Sequence, residues 1–138
     1  MAENNLIKKD DVAGLIEAAK SAQEKAYAPY SDFRVGAALL TASKDIYTGC
    51  NIENGSYGLT NCAERTAIFK AVSEGHREFR KLVIISDTDL PISPCGACRQ
   101  VMVEFSPQME VIMVSGDRQF EISTAQDLLP KSFKFAKG

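Results

Sequence analysis

The chain has 138 residues, 45% of them hydrophobic and 25% charged, with a formal net charge of −2. That is the size and mix of one soluble domain, able to bury about two-thirds of its unfolded surface. It has no basic field to hold a nucleic-acid backbone by charge alone, and one His cannot build a three-His metal site within one chain.

The N-terminal stretch has no apolar run of signal-peptide length, and nothing approaches the roughly 18 apolar residues of a membrane span. A cytoplasmic protein with reduced thiols is expected. Asp10 or Asp11 can cap a first helix, whose stripe is Val12, Leu15, Ile16 and Ala19 and which Pro29 stops. Phe33–Leu40 and Ile46–Ile52 flank Ser43-Lys44-Asp45 and read as a β-hairpin. Residues 53–61 read as loop. A second helix starts near Asn61, with Ala63, Ala67, Ile68, Ala71 and Val72 on one face and Gly75 as its stop. Residues 81–86 are a buried strand. Pro94 suits the first turn of a third helix carrying Val101, Met102 and Phe105 inward. Another buried strand follows at 110–115. Gly116-Asp117 turns into a strand at 119–122. Ser123 with Gln126 fits a capping box for a short helix ending at Pro130. The tail, 131–138, is basic and expected to be loose. His76 falls in a surface turn.

This order predicts one α/β domain, a three-layer α/β/α sandwich with a mixed five-stranded sheet.

Two motifs carry chemistry: Cys62-Ala63-Glu64-Arg65 and Pro94-Cys95-Gly96-Ala97-Cys98-Arg99-Gln100. Both fall at predicted helix N-termini, where free N–H groups and the helix dipole stabilise thiolates. Cys62, Cys95 and Cys98 can converge on one Zn²⁺. A closed structural site takes four protein ligands and a catalytic one keeps a position for water. Cys50, inside the second predicted strand and without a close partner, reads as core, although it could complete a Cys₄ site. Glu64 suits a proton carrier better than a ligand. Arg65 and Arg99 could offset the thiolate charge by donating to the sulfurs, with Gln100 sharing that role. Taken singly, each feature has a plainer reading: Glu64 and Arg65 as a solvated helix face, the C-x-x-C as a redox or structural pair. The combination is far more specific.

Zinc nucleobase deaminases carry an H-x-E…P-C-x-x-C signature, with a form in which Cys replaces His. Cys62-Ala-Glu and Pro94-Cys-Gly-Ala-Cys match that form. The longer strings resemble the small, tetrameric, free-nucleoside cytidine deaminases: Tyr27-Ala-Pro-Tyr-Ser, Phe33-Arg-Val-Gly-Ala-Ala-Leu-Leu, Gly49-Cys-Asn-Ile-Glu-Asn, Cys62-Ala-Glu-Arg-Thr-Ala, Lys70-Ala-Val-Ser-Glu-Gly, Ser93-Pro-Cys-Gly-Ala-Cys-Arg-Gln-Val and Leu128-Leu-Pro. They span residues 26–133.

The resemblance implies hydrolytic deamination of cytidine and 2′-deoxycytidine by a zinc-activated water, with Glu64 as proton shuttle. It implies one zinc per chain on the three cysteines. It places Asn51 and Glu53 on the ribose 3′-hydroxyl, Phe33 on the pyrimidine ring, and backbone groups of Ala63 and Ser93 on the base. It also implies a homotetramer whose sites lie at subunit junctions, with Tyr57 at the junction and a C-terminal Phe of a neighbour closing the pocket. Phe133 matches that Phe. Family members tend toward acidic residues beyond it, whereas Lys134-Phe135-Ala136-Lys137 follows here, so Phe135 is an alternative. Other readings are a deaminase of another aminopyrimidine, such as a nucleoside antibiotic, and a non-catalytic Cys₄ module or C-x-x-C redox protein. Nucleic acid and membrane are not expected partners.

Overall fold

The computed structural model describes residues 12–136. The expected cap at Asp10 or Asp11 lies outside them. Helices α1 (Val12–Gln23), α2 (Ala63–Ser73), α3 (Gly96–Phe105) and the short α4 (Ala125–Leu128) alternate with strands β1 (Val35–Thr41), β2 (Ile46–Cys50), β3 (Phe79–Ser86), β4 (Glu110–Val114) and β5 (Phe120–Thr124). The described strands form one mixed sheet in the order β2-β1-β3-β4-β5. Among the described strands only the β3–β4 pair is parallel, and α3 makes its crossover.

Period-two alternation divides the core. Ala37, Leu39, Leu82, Ile84, Val111 and Met113 face one way, against α2, α3 and α4. Ala38, Leu40, Val83, Ile85, Ile112 and Val114 face the other way, against Leu15 and Ala19 of α1. The central strands are buried on both faces, so they read in sequence as unbroken apolar runs. Three layers follow, as the element order predicts.

Two glycines set how closely the helices approach. A Cβ on Gly36 would lie 2.0 Å from the carbonyl oxygen of Ala19, so α1 packs backbone to backbone on β1. A Cβ on Gly49 would lie 2.5 Å from the Ala63 carbonyl oxygen and 2.6 Å from the Ala67 nitrogen. The first turn of α2 therefore rests directly on β2, and this fixes the height of Cys62 above the sheet.

Several boundaries differ from the sequence expectation. α1 ends at Gln23, well short of Pro29, and the chain turns through Lys25 N–H to Ala22 O and Ala26 N–H to Gln23 O. β1 begins at Val35 rather than Phe33, and β2 ends at Cys50, with Ile52 making isolated bridges to Tyr27 and Asn61. Pro94 precedes α3 instead of joining its first turn. The α4 cap is Thr124, whose hydroxyl accepts from Asp127 N–H, because Ser123 is still paired with Val111 in the sheet. Cys50 is half-buried at a strand end rather than core. His76 packs on the Tyr47 ring at 5.3 Å and faces Asp45 at 3.5 Å.

Gly49→Ala should force α2 off β2. Overpacking of this kind costs about 1–3 kcal/mol, a fall in Tm of roughly 3–9 °C. Thermal unfolding, with zinc affinity by chelator competition, checks this. An unchanged Tm and unchanged zinc affinity would show that the contact does not position the helix.

Candidate metal centre and active site

Cys62 is the N-cap of α2 and Cys95 the N-cap of α3. Both residues are extended, with φ/ψ of −79°/158° and −70°/168°. Their carbonyls accept the first intrahelical bonds, from Thr66 N–H and Arg99 N–H, each at 3.0 Å. Neither side chain caps its helix, so both sulfurs are left for another partner. Cys98, one turn into α3, is fully buried.

The three sulfurs lie within 4.8 Å of one another, with Cys62–Cys95 at 3.9 Å and Cys95–Cys98 at 3.5 Å. All remain free thiols. The Arg65 Nη2 donates to Cys62 Sγ at 3.4 Å. A hydrogen bond from Cys98, together with that guanidinium, lowers the Cys62 thiol to about 5. Cys98 moves the opposite way, raised by its hydrogen bond to Cys62 and by burial. Arg65 Nε is buried without a partner, so the guanidinium has unused donor capacity beside the sulfurs. Three close sulfurs at two helix N-termini, next to the half-buried Arg65 guanidinium, fit a soft divalent metal that displaces thiol protons.

Glu64 follows Cys62 on the first turn of α2 and is 5% exposed. Burial pushes its carboxyl up to about 7, and the Cys62 charge adds to the rise, while a backbone N–H and Arg65 pull it down. A carboxyl titrating there can both take and return a proton near neutral pH.

A cavity of about 230 Å³ opens over these groups. Phe33, Asn51, Cys62, Ala63, Glu64, Ser93 and Cys95 line it, and the structure adds Val35, Thr60, Asn61 and Ile92. Of these last four, Val35 and Ile92 are apolar and Thr60 and Asn61 are polar without an ionisable group, and all lie outside the two short motifs. A neighbouring recess of about 310 Å³ is lined by Tyr30, Ser31, Glu53, Asn54, Tyr57 and Thr60. Thr60 belongs to both, so the two recesses adjoin. Glu53 accepts from Tyr30 N–H at 3.0 Å, Ser31 N–H at 3.1 Å and the Ser31 hydroxyl. The Ser31 bond is the main reason its carboxyl is held low. Asn51 is engaged at both ends: its Oδ1 accepts from Val35 N–H at 2.9 Å and its Nδ2 donates to Phe33 O at 2.8 Å.

Arg99 and Gln100 do not donate to the sulfurs. Arg99 Nε donates to Pro94 O at 2.8 Å and its Nη1 to Leu128 O at 2.7 Å. Gln100 Nε2 donates to Phe133 O at 3.1 Å. Both are turned toward backbone carbonyls of the Cys95 loop and the C-terminal segment, which sequence spacing does not reveal. Phe133 lies with Val103, Glu104, Pro107, Lys134 and Phe135, outside the cavity of its own chain. Cys50 is not among the clustered sulfurs. Among the described residues no helix is long and apolar enough to cross a membrane.

Residues 9–115 match the profile of the cytidine and deoxycytidylate deaminase zinc-binding region. The chain is 54% identical over 124 residues to the cytidine deaminase of Sporosarcina psychrophila, covering 89% of this chain and 91% of that one. It is 52% identical over 125 residues to a probable cytidine deaminase of Dictyostelium discoideum, covering 90% and 84%. The crystal structure of cytidine deaminase from Burkholderia pseudomallei superimposes with a TM-score of 0.87 at 52% identity, covering 89% of this chain and 99% of that one.

With zinc bound, three of the four thiols should be shielded. A thiol reagent should then react with one thiol per native chain, Cys50, and with all four after chelation and unfolding. No reactive thiol in the zinc-loaded chain would indicate a four-sulfur site instead.

Proposed function

The chain belongs to the family of the cytidine and deoxycytidylate deaminase zinc-binding region, and on that premise we propose that it converts cytidine and 2′-deoxycytidine to the uridine forms and ammonia. The observation that carries this reading is one cavity lined by two of the three clustered cysteines, with the third buried beside them, a buried carboxyl titrating near neutrality and an aromatic wall. Cys62, Cys95 and Cys98 hold the zinc, which supplies the Lewis acidity that makes water a nucleophile at neutral pH.

The reaction forms a C4–O bond and breaks the C4–N bond. Water gives its oxygen to C4, one proton to N3 and one to the departing amine. Glu64 is the group in the cavity that can carry both protons. It accepts from the water, delivers to N3, and passes the second proton to the amine. Its burial keeps the carboxyl from being fixed in one protonation state. Phe33 offers its ring to the flat face of the pyrimidine, and backbone groups at Ala63 and Ser93 meet the polar edge of the base. Asn51 and Glu53 take the ribose 3′-hydroxyl. The adjoining recesses suit this division, with the base over the sulfurs and the sugar toward Glu53. Arg65 balances the thiolate charge.

Assembly as a homotetramer completes the pocket, with Tyr57 and Phe133 at the junction. Support comes from their exposure, 79% and 71%, and from the absence of Phe133 from the walls of its own cavity. The reaction consumes a free nucleoside in the cytoplasm.

Glu64→Gln keeps the shape and volume of the side chain but cannot carry a proton. It should retain one zinc per chain and lose about 10²–10⁴ in kcat. Following the ultraviolet change on loss of the amine checks this, with zinc measured in the same preparation. Undiminished turnover would remove Glu64 from the chemistry. A panel including modified aminopyrimidine nucleosides separates the cytidine reading from a deaminase of another such compound. Rapid turnover of a modified nucleoside with none of cytidine would favour the latter.

A further inference from the structure

We propose that Gln23 and Asp87 form a clamp that sets the position of the Phe33 wall relative to the Ile92–Ser93 wall, making Gln23 a positioning residue for the pyrimidine. This rests on the deaminase reading above.

Residues 33–35 precede and begin β1, and two of them, Phe33 and Val35, line the cavity. Each backbone N–H and C=O of this tripeptide has a partner, and most of these partners are side chains. Phe33 N–H donates to Ser31 Oγ at 3.0 Å, and its carbonyl accepts from Asn51 Nδ2. Val35 N–H donates to Asn51 Oδ1, and its carbonyl accepts from Asn51 N–H at 3.3 Å. The two groups of Arg34 go elsewhere. Its carbonyl accepts from Gln23 Nε2 at 3.1 Å, and its N–H donates to Asp87 Oδ2 at 3.3 Å. Gln23 Nε2 also donates to Asp87 Oδ1 at 2.9 Å, which closes the triangle.

Asn51 thus holds the tripeptide through Phe33 and Val35, while Gln23 and Asp87 hold it through Arg34. Gln23 is the last residue of α1, 7% exposed, and its backbone is pressed against Gly36, so its side chain has a fixed origin. Asp87 is the first residue after β3 and opens the loop that reaches Ile92, Ser93 and Cys95, all of them lining the cavity. A second bond, Gly116 N–H to Thr88 O at 2.8 Å, ties the same loop to the turn after β4. The clamp therefore joins two cavity-lining segments far apart in sequence, and neither of its side chains lines the cavity.

A polar side chain buried at this point has a purely structural alternative: it stabilises the fold and leaves the slot alone. The two differ in what a substitution moves. If the clamp sets the slot, its loss weakens substrate and transition state alike, raising KM with little change in kcat.

The test uses the zinc-loaded chain with cytidine as substrate. It compares wild type with Gln23→Leu, Asp87→Ala, the double variant, and Gln23→Lys, which keeps a donor to the carboxylate. Loss of one hydrogen bond of this kind corresponds to about a three- to tenfold rise in KM. That rise is expected in Gln23→Leu and Asp87→Ala, with kcat within about twofold and zinc at one per chain. The double variant should match the larger single effect rather than their product, because the two residues act as one unit. Gln23→Lys should recover most of the wild-type KM.

A KM unchanged in both single variants overturns the clamp, as does a double variant whose effect is the product of the singles. A fall in Tm with no change in KM also overturns it. Asp87 is exposed, so Asp87→Ala carries the test even where Gln23→Leu does not fold. Failure of the wild-type chain to deaminate cytidine would overturn the deaminase reading and the clamp together. Wild-type turnover with unmoved KM values in the variants overturns the clamp alone.

Discussion

Everything at the functional centre depends on bringing three sulfurs within 4.8 Å of one another without forming a disulfide. Thiolates at that spacing repel, so the fold has to supply positive charge. Part of it comes from the starts of α2 and α3, where unpaired N–H groups and the helix dipole face the sulfurs. Part comes from Arg65 at 3.4 Å from Cys62. The remainder is the task of the metal. The same geometry explains Glu64. It shares the first turn of α2 with Cys62, so any arrangement that places the sulfur also places the carboxyl, and the carboxyl's own burial raises its pKa to about 7.

That convergence relies on contacts remote from it. α2 is held at its height by the missing side chain of Gly49, and α1 by that of Gly36. The segment carrying Phe33 is anchored by side chains on both sides, Asn51 on one and Gln23 with Asp87 on the other. Arg99 links the carbonyl before Cys95 to that of Leu128, so the Cys95 loop is connected to the C-terminal segment. The chemistry is thus built on elements that the sheet brings together in an order unrelated to their sequence separation.

The sequence exposed those parts whose signal is local. The buried runs of β3 and β4, the apolar face of α2 and the two cysteine motifs depend on spacing within a few residues, and they were legible. The sandwich followed from the element order. Legibility failed where a partner is distant. Arg99 and Gln100, read as donors to sulfur, instead reach carbonyls 5 to 33 residues away. Gln23 looks like an ordinary helix residue until Asp87, 64 residues on, is seen beside it. The sequence pattern starts β1 two residues early because Phe33 and Val35 alternate with polar Arg34 as in a strand, yet side chains rather than a neighbouring strand satisfy the backbone of residues 33 and 34. The α4 cap slipped by one because sheet pairing outweighed a local capping box at Ser123.

Zinc-edge X-ray absorption on the native, zinc-loaded chain tests the central claim most directly, because it reads the ligand set itself. Three sulfurs at roughly 2.3 Å with one lighter neighbour at about 2.0 Å are expected of an open site on Cys62, Cys95 and Cys98. Four sulfurs and no lighter neighbour would contradict it, since that site has no position for water and the chain would hold its metal for structure alone.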